Sequence, residues 1–302
     1  MMIKKMDEKR DIVESWQEEA ELHRWEAMQL IIHALNKSPE PVEAAVVGTG
    51  CWDDVDWTEI TARVSNITVF DLGRSGGQSA VQGLTGPLSR KVTVHTNADL
   101  IGLEQVRFQE RFQSLLESGA EPGQLIAFLG ETGEHVKQAR PLEQIGRQFS
   151  LVVSLPVYTQ LFYIDAMLML APYMENYGPE QTAQLTRQIS SVRDICVEAY
   201  NRVLFSMLKP GGRIVIWSDM MIVNEQTQQV MDELYMERTE KERVRRIFTA
   251  FGQYGMEAAI AGMKGAFDRM NPEQTHFTTW LWPLGRDKQF VAAGLAGSGI
   301  QA

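Results

Sequence analysis

Cysteine is scarce in this chain of 302 residues: Cys51 and Cys196 are the only two. Two cysteines at that spacing build neither a disulfide framework nor a four-cysteine metal site, and a reducing, cytoplasmic setting is the expectation. Basic residues are also in deficit. The 29 Lys and Arg face 39 Asp and Glu, leaving a net charge of -10 that opposes nucleic-acid phosphates or anionic lipid as general partners. No apolar segment is long enough for a membrane span. The start MMIKKMDEKRDIVESW has no apolar core of signal-peptide length, and the run Leu161 to Ala171 is short and broken by Asp165. No His, Cys, Asp or Glu cluster has metal-ligand spacing, so metal dependence is not expected.

What the chain has is apolar content of 44%, enough for a proper core, and an ordered alternation of strand and helix signals. Strands are predicted at 43–48, 67–71, 91–95, 150–156 and 213–217, with a helix near 54–64 after the first. The segment RSGGQSAVQGLTGPLSR, with four glycines and a proline, makes the crossover before the third strand loop-rich. Between Ile101 and Arg147 lies more chain than one crossover requires. It carries a helical pattern (Leu103, Val106, Phe108, Phe112, Leu115, Leu116), a turn at Glu121-Pro122-Gly123 and the apolar piece LIAFLG. Helical sequence follows to Ala171 and from Pro179 to Leu208, and charged helical sequence runs from Glu225 to Ile247 and on to Met270. The end reads as an antiparallel pair, His276 to Leu284 and Lys288 to Leu295, turning at Gly285-Arg286-Asp287. Arg243, Arg245 and Arg246 sit among Glu237, Glu240 and Glu242 and read as a solvated helix face.

The expected fold is α/β: a Rossmann-like, doubly wound, mostly parallel seven-stranded sheet with an antiparallel C-terminal hairpin, plus N-terminal helices. Residues 1–40 form a helical cover whose apolar positions include Ile12, Val13, Trp16, Trp25, Met28 and Leu35, closed by Ser38-Pro39. Residues 41–302 form the main domain, with helical insertions near 101–148 and 156–178. The Trp-rich cover makes a homodimer plausible beside simple packing.

Two stretches carry most of the functional information, AAVVGTG (44–50) and MLKPGGRIVIW (207–217). Glycines after a strand let backbone lie against a ligand, and Lys-Pro-Gly-Gly ends a helix and restarts a buried strand. A GxGxxG fingerprint from Gly48 fails at Asp53, an acid ill suited to face a pyrophosphate, so NAD and FAD are disfavoured. No GxxxxGK[ST] sequence is present, and a P-loop is excluded.

A nucleoside cofactor without phosphates remains. The strand order, GTG after strand one, an acid ending strand two (Asp71 in ITVFDLG), an acid after strand three (Asp99 in HTNADL) and LKPGG before strand five resemble class I S-adenosylmethionine-dependent methyltransferases over residues 43–218. The resemblance implies that Gly48, Thr49 and Gly50 lie beside the methionine part of S-adenosylmethionine and that Asp71, followed by Leu72, takes the ribose hydroxyls. Asp71 stands 21 residues beyond Gly50, one strand-helix-strand unit, and the competing reading is a strand-end turn acid. Asp99 would accept from the adenine amino group with Ala98 and Leu100 beside the ring, helix capping being its competitor.

FSLVVSLPVYTQL resembles the family's fourth-strand segment, which closes over the cofactor through Ser154 and faces the substrate. It departs from that pattern at Ser150, Pro156 and Thr159-Gln160. The tetrapeptide [ND]PPY is absent, which favours a small-molecule acceptor. Methyl transfer asks for placement in line with the departing sulfur rather than a triad. A base, if used, would be Tyr158, His23 or His276, and His23 and Trp25 on the cover are candidate acceptor contacts. The alternatives are a methyltransferase-fold binding module without turnover, or transfer of another group such as aminopropyl.

Overall fold

A computed structural model describes residues 20–48, 54–73, 90–140, 147–229, 240–284 and 288–300. The described residues begin with a helix at 20–35 (α1) and enter a seven-stranded sheet in the order β3-β2-β1-β4-β5-β7-β6. The first five strands are β1 (Glu43–Val47), β2 (Asn66–Phe70), β3 (Val92–His95), β4 (Phe149–Ser154) and β5 (Leu208–Ile222), and they pair in parallel. The hairpin of β6 (His276–Pro283) and β7 (Gln289–Ser298) joins them antiparallel, with β7 against β5 and β6 at the edge. The fold is the doubly wound one expected from the alternation of elements, with the C-terminal hairpin reversed at one side. The turn of that hairpin at 285–287 and the glycine-rich crossover at 74–89 lie outside the described residues.

Parallel strands covered on both faces need apolar residues at successive positions, and β1 and β4 supply them. Ala44, Val46, Leu151 and Val153 face one layer, and Ala45, Val47, Phe149 and Val152 face the other. The first layer is thin. It holds α1 and α2 (Trp57–Arg63), with Ala27, Leu30, Ile31 and Ala34 of α1 repeating at helical spacing against Trp217, Trp280 and Ala292. Asp56 caps α2 by accepting from the amides of Thr58 and Glu59 at 3.0 and 3.2 Å.

The second layer is thick and contains α3 (Phe108–Glu117), α4 (Pro122–Gln138), α5 (Tyr163–Leu170), the 28-residue α6 (Pro179–Ser206) and α8 (Glu257–Phe267), with α7 (Glu240–Tyr254) preceding α8. Phe108, Phe112, Phe128 and Phe162 stack in it, with centroids 4.9–6.2 Å apart. The extra chain at 101–138 is therefore part of this wall.

Three local expectations are corrected. Glu121-Pro122-Gly123 is no free turn: Glu121 flanks α4, its amide donates to Gln124 Oε1 at 2.9 Å, and Pro122 takes the first helical position, where its missing N–H costs nothing. The helical pattern from Leu103 begins as helix only at Phe108, because residues 101–107 form turns. Lys209-Pro210-Gly211-Gly212 does not separate helix from strand. Leu208 already pairs with Phe149 and Arg213 with Leu151, so the four residues bulge out of β5, and Gly211 takes a φ of 75° there.

Leu30 of α1 is fully buried and seats on Gly294 of β7, where an added Cβ would come within 2.3 Å of Leu30 Cδ1. Leu30→Ala should lower unfolding free energy by about 2–5 kcal/mol in urea melts, the usual cost of a buried leucine. A loss below about 1 kcal/mol would mean that α1 does not hold this face.

Candidate functional site

The sheet's carboxyl edge turns over at three neighbouring strand tips. The amide of Gly48, after β1, donates to the Phe70 carbonyl at 3.0 Å. Asp71, after β2, donates its amide to the His95 carbonyl at 2.9 Å and accepts from the Ala98 amide at 2.7 Å. Gly48 adopts a φ of 90°, and a Cβ there would stand 2.9 Å from Val157 Cγ1. Only glycine suits both constraints. Thr49 and Gly50 lie outside the described residues.

Beyond these tips opens a cavity of about 610 Å³. Leu72 and Gly73 form one side, Asn97, Ala98, Asp99, Leu100 and Ile101 the floor, Leu103, Glu104 and Gln109 a further wall, and Leu161 and Asp165 the side facing β4. Asn97 has a φ of 53°, a left-handed conformation that Asn tolerates, and its Oδ1 occupies the space a Cβ on Gly73 would need. Asp99, Glu104 and Asp165 are acids, and no Lys or Arg is present among the described lining residues. The described lining therefore offers no cationic side chain to a phosphate.

The two aspartates act locally. Asp71 is buried, and its Oδ1 accepts from the Gly73 amide at 3.0 Å, so it shapes the turn that carries Leu72 and Gly73 into the cavity wall. Asp99 accepts four backbone amides: Gly102 and Leu103 on Oδ1 at 2.8 and 3.0 Å, Glu104 and Gln105 on Oδ2 at 3.0 and 3.2 Å. A carboxylate has about four acceptor positions. All of Asp99's are engaged in the turn it holds, so an adenine amino group would have to compete with backbone.

The remaining residues named from sequence fall elsewhere. Ser154 is buried beneath the edge, with its hydroxyl 2.8 Å from Tyr200 Oη. Tyr158 is buried as well, donates to Asn201 Oδ1 at 2.5 Å and packs on Gly262. Burial raises its pKa well above the usual tyrosine value, so the phenol stays protonated. These are core positions; neither side chain lines the cavity, and the catalytic reading of Tyr158 gives way to a structural one.

His23 is buried in α1, accepting from Trp280 Nε1 at 2.7 Å, stacking on Trp282 at 4.8 Å and placing Nε2 3.2 Å from Asp54 Oδ2. It fastens the helix to β6, which is the bland alternative for a histidine on an apolar face. Trp25 is 56% exposed and lines a separate shallow groove of about 330 Å³ with Arg24, Met28, Ile32 and Val55. His276 sits exposed at the start of β6. None of the described α1 residues lines the main cavity, whereas Leu161 and Asp165 of the 156–178 region do.

Two features were missed from sequence. The acid Asp165, read only as an interruption of an apolar run, faces the cavity; a lone acid in an apolar helix was its signal. Asp219, late in β5, is mostly buried with Ser218 Oγ at 3.0 Å and Thr159 Oγ1 at 3.3 Å, and burial raises its pKa. It joins the segment after β4 to β5. The departure at Ser150 proves remote from this edge, since its hydroxyl donates to the Pro41 carbonyl at 3.1 Å near the amino end of β4.

No protein-family model matches the sequence, and no curated protein does. Similar solved structures include precorrin 8W decarboxylase from Methanobacterium thermoautotrophicum, 13% identical, with 89% of this chain and 87% of that one covered at a TM-score of 0.31. An O-methyltransferase family protein from Burkholderia thailandensis is 9% identical, with 91% of this chain but 56% of that one covered at 0.35. The plantazolicin methyltransferase BpumL, solved with SAH, is 9% identical, with 97% and 91% covered at 0.34. Likeness at this level fixes neither ligand nor activity. Among the described residues, no helix is long and apolar enough to cross a membrane, and no three His, Cys, Asp or Glu are grouped to hold a metal ion.

Asp99→Ala should lower stability by about 0.5–2 kcal/mol, as loss of a capping side chain does. Hydrogen exchange would show faster amides at 102–105, and unchanged exchange there would deny the four contacts. For Asp219 the sign is opposite to that of a paired surface acid. Its folded pKa lies above the unfolded one, so the folded state binds more protons between the two values, and stability is lost as pH rises through that window. Asp219→Asn should be more stable than wild type at neutral pH, with the gap closing toward acid; parallel stability-pH curves would contradict this.

Proposed function

We propose that the protein holds S-adenosylmethionine along the carboxyl edge of β1, β2 and β3 and directs methyl transfer to a small-molecule acceptor. The observation that carries the reading is the acid-lined cavity, with no Lys or Arg among its described lining residues, beside tips that the resemblance to class I methyltransferases assigns to the cofactor. An open α/β sheet receives ligands at this edge, where strand order reverses about β1. A guest there would be a nucleoside with net positive charge, which S-adenosylmethionine is and a dinucleotide is not.

In this reading Gly48 keeps the β1 tip free of side-chain bulk for the methionine portion, and the resemblance assigns Thr49 and Gly50 to the same part of the cofactor. Asp71 serves the ribose hydroxyls, and Leu72 and Ala98 flank the adenosine. Asp99 contributes by holding the 101–105 backbone as a wall, and Ser154 by bracing Tyr200 beneath the edge. When bound, the cofactor supplies an electrophilic methyl on a sulfonium. The chain's own task is alignment and exclusion of water, worth up to roughly 7–11 kcal/mol of a barrier. Leu161 and the helix that follows border the space left for an acceptor, and Asp165 provides an acid at its rim.

Calorimetry with S-adenosylmethionine tests this directly. Wild type should bind it and not NAD, and Asp71→Ala should weaken binding by about one to two powers of ten, from the loss of charged hydrogen bonds. Binding of NAD in place of S-adenosylmethionine would overturn the cofactor assignment, and unchanged affinity in the variant would remove Asp71 from the site. Formation of S-adenosylhomocysteine across an acceptor panel separates a methyltransferase from a binding module.

A further inference from the structure

At the amino edge of the sheet, the end opposite the cavity, four basic side chains from three elements converge. His33 and His276 stack with ring centroids 5.1 Å apart, one from α1 and one from the start of β6. Lys37, just past α1, places Nζ 3.1 Å from His33 Nε2. Arg213 of β5 donates from Nε to the Lys37 carbonyl at 3.2 Å and from one terminal nitrogen to Gln274 Oε1 at 2.8 Å. Gln274 is itself fixed by the Ser298 hydroxyl at 2.8 Å.

The charges around His33 all have one sign. Burial lowers its pKa, and Lys37 on its own side, His276 from β6 and Arg213 from β5 add to the shift; among the described residues no carboxylate opposes them. In a chain with a net charge of -10, a local gathering of basic side chains makes a positive patch that attracts an anion. Donor capacity is also left over. A guanidinium has five N–H groups, of which two serve Lys37 and Gln274, and the ammonium of Lys37 has three, of which one serves His33.

We propose that His33, Lys37, Arg213 and His276 form a binding site for a tetrahedral oxyanion, either free phosphate or the phosphomonoester group of a small metabolite. The planar guanidinium suits two adjacent oxygens, the ammonium adds a point charge, and the imidazoles add ring N–H donors when protonated. The glutamine-serine pair behind Arg213 holds its guanidinium in place before any ligand arrives. The site lies at the other end of the strands from the cavity and is independent of the cofactor reading. Anion binding offsets the repulsion on His33, so protons are taken up on binding and affinity rises as pH falls through the histidine range.

Histidine ring-proton NMR of the full chain, titrated with inorganic phosphate and in a second arm with glycerol phosphate, tests the site against chloride at matched ionic strength. The His33 and His276 signals should shift saturably, and the His33 titration midpoint should rise. Arg213→Gln and the exposed Lys37→Gln should each weaken phosphate binding about tenfold while leaving the buried His23 signal unmoved. Saturation with phosphate alone identifies the free ion, and tighter saturation with glycerol phosphate identifies a phosphomonoester. Shifts that are linear, matched by chloride, or retained in both variants overturn the proposal.

Discussion

Peptide hydrogen bonds at the strand tips set the geometry on which the rest of this edge depends. The Gly48 amide on the Phe70 carbonyl, the Asp71 amide on the His95 carbonyl and the Ala98 amide on the Asp71 carbonyl carry the parallel ladder past the ends of β1 and β2. The chain can leave the sheet only after these bonds are made, so residues 72–73 and 97–101 emerge side by side and together line one cavity. Gly48 tolerates the positive φ that this exit demands, and Asn97 meets the same demand on the β3 side. Asp71 and Asp99 then fix the turns just beyond. Each converts backbone amides that would otherwise need water into closed local structure, leaving cavity walls of defined shape.

The unequal layers decide where such a cavity can form. On the thin face, α1 and α2 lie flat on the sheet, and His23 is consumed by Trp280, Trp282 and Asp54. The thick face carries α3 to α6 and α8, and the residues between Ile101 and Phe108 rise above the edge before that wall begins. Leu161 and Asp165, at the start of α5, come from the same wall. The crevice is thus bounded by strand tips on one side and by the upper rim of the helical layer on the other.

Sequence reading recovered the sheet because β1, β2 and β4 are short buried runs closed by Gly, Pro or a polar turn, and those signals are local. It placed Gly48 and Asp71 at strand ends for the same reason. It did not recover the roles of Tyr158 and His23, because a polar group's function depends on what lies across the fold. Asn201, 43 residues on, accepts the Tyr158 hydroxyl's hydrogen bond, and Trp280, 257 residues on, donates to His23. Nor could it show that Asp99 saturates itself on four amides, since the same HTNADL string reads equally well as cap or as ligand contact. Asp219 was invisible for the opposite reason. Its strand was read as ending at Trp217, whereas pairing with β7 carries β5 on to Ile222 and buries the acid beside Thr159.

Charge is distributed along the strands rather than evenly over the surface. Asp99, Glu104 and Asp165 gather at the carboxyl edge, and His33, Lys37, Arg213 and His276 gather at the amino edge. Gathered charges of one sign set up a local potential at each end, even where a member such as Asp99 also holds backbone in place. A cluster of one sign is tolerated where an oppositely charged guest spends time. The sheet between them is apolar on both faces, so the two fields do not cancel within the core. A cationic nucleoside approaching the carboxyl edge and an oxyanion approaching the amino edge would each be drawn to its own end of the molecule. Under the two proposals, that separation would let the fold hold two ligands of opposite charge at once.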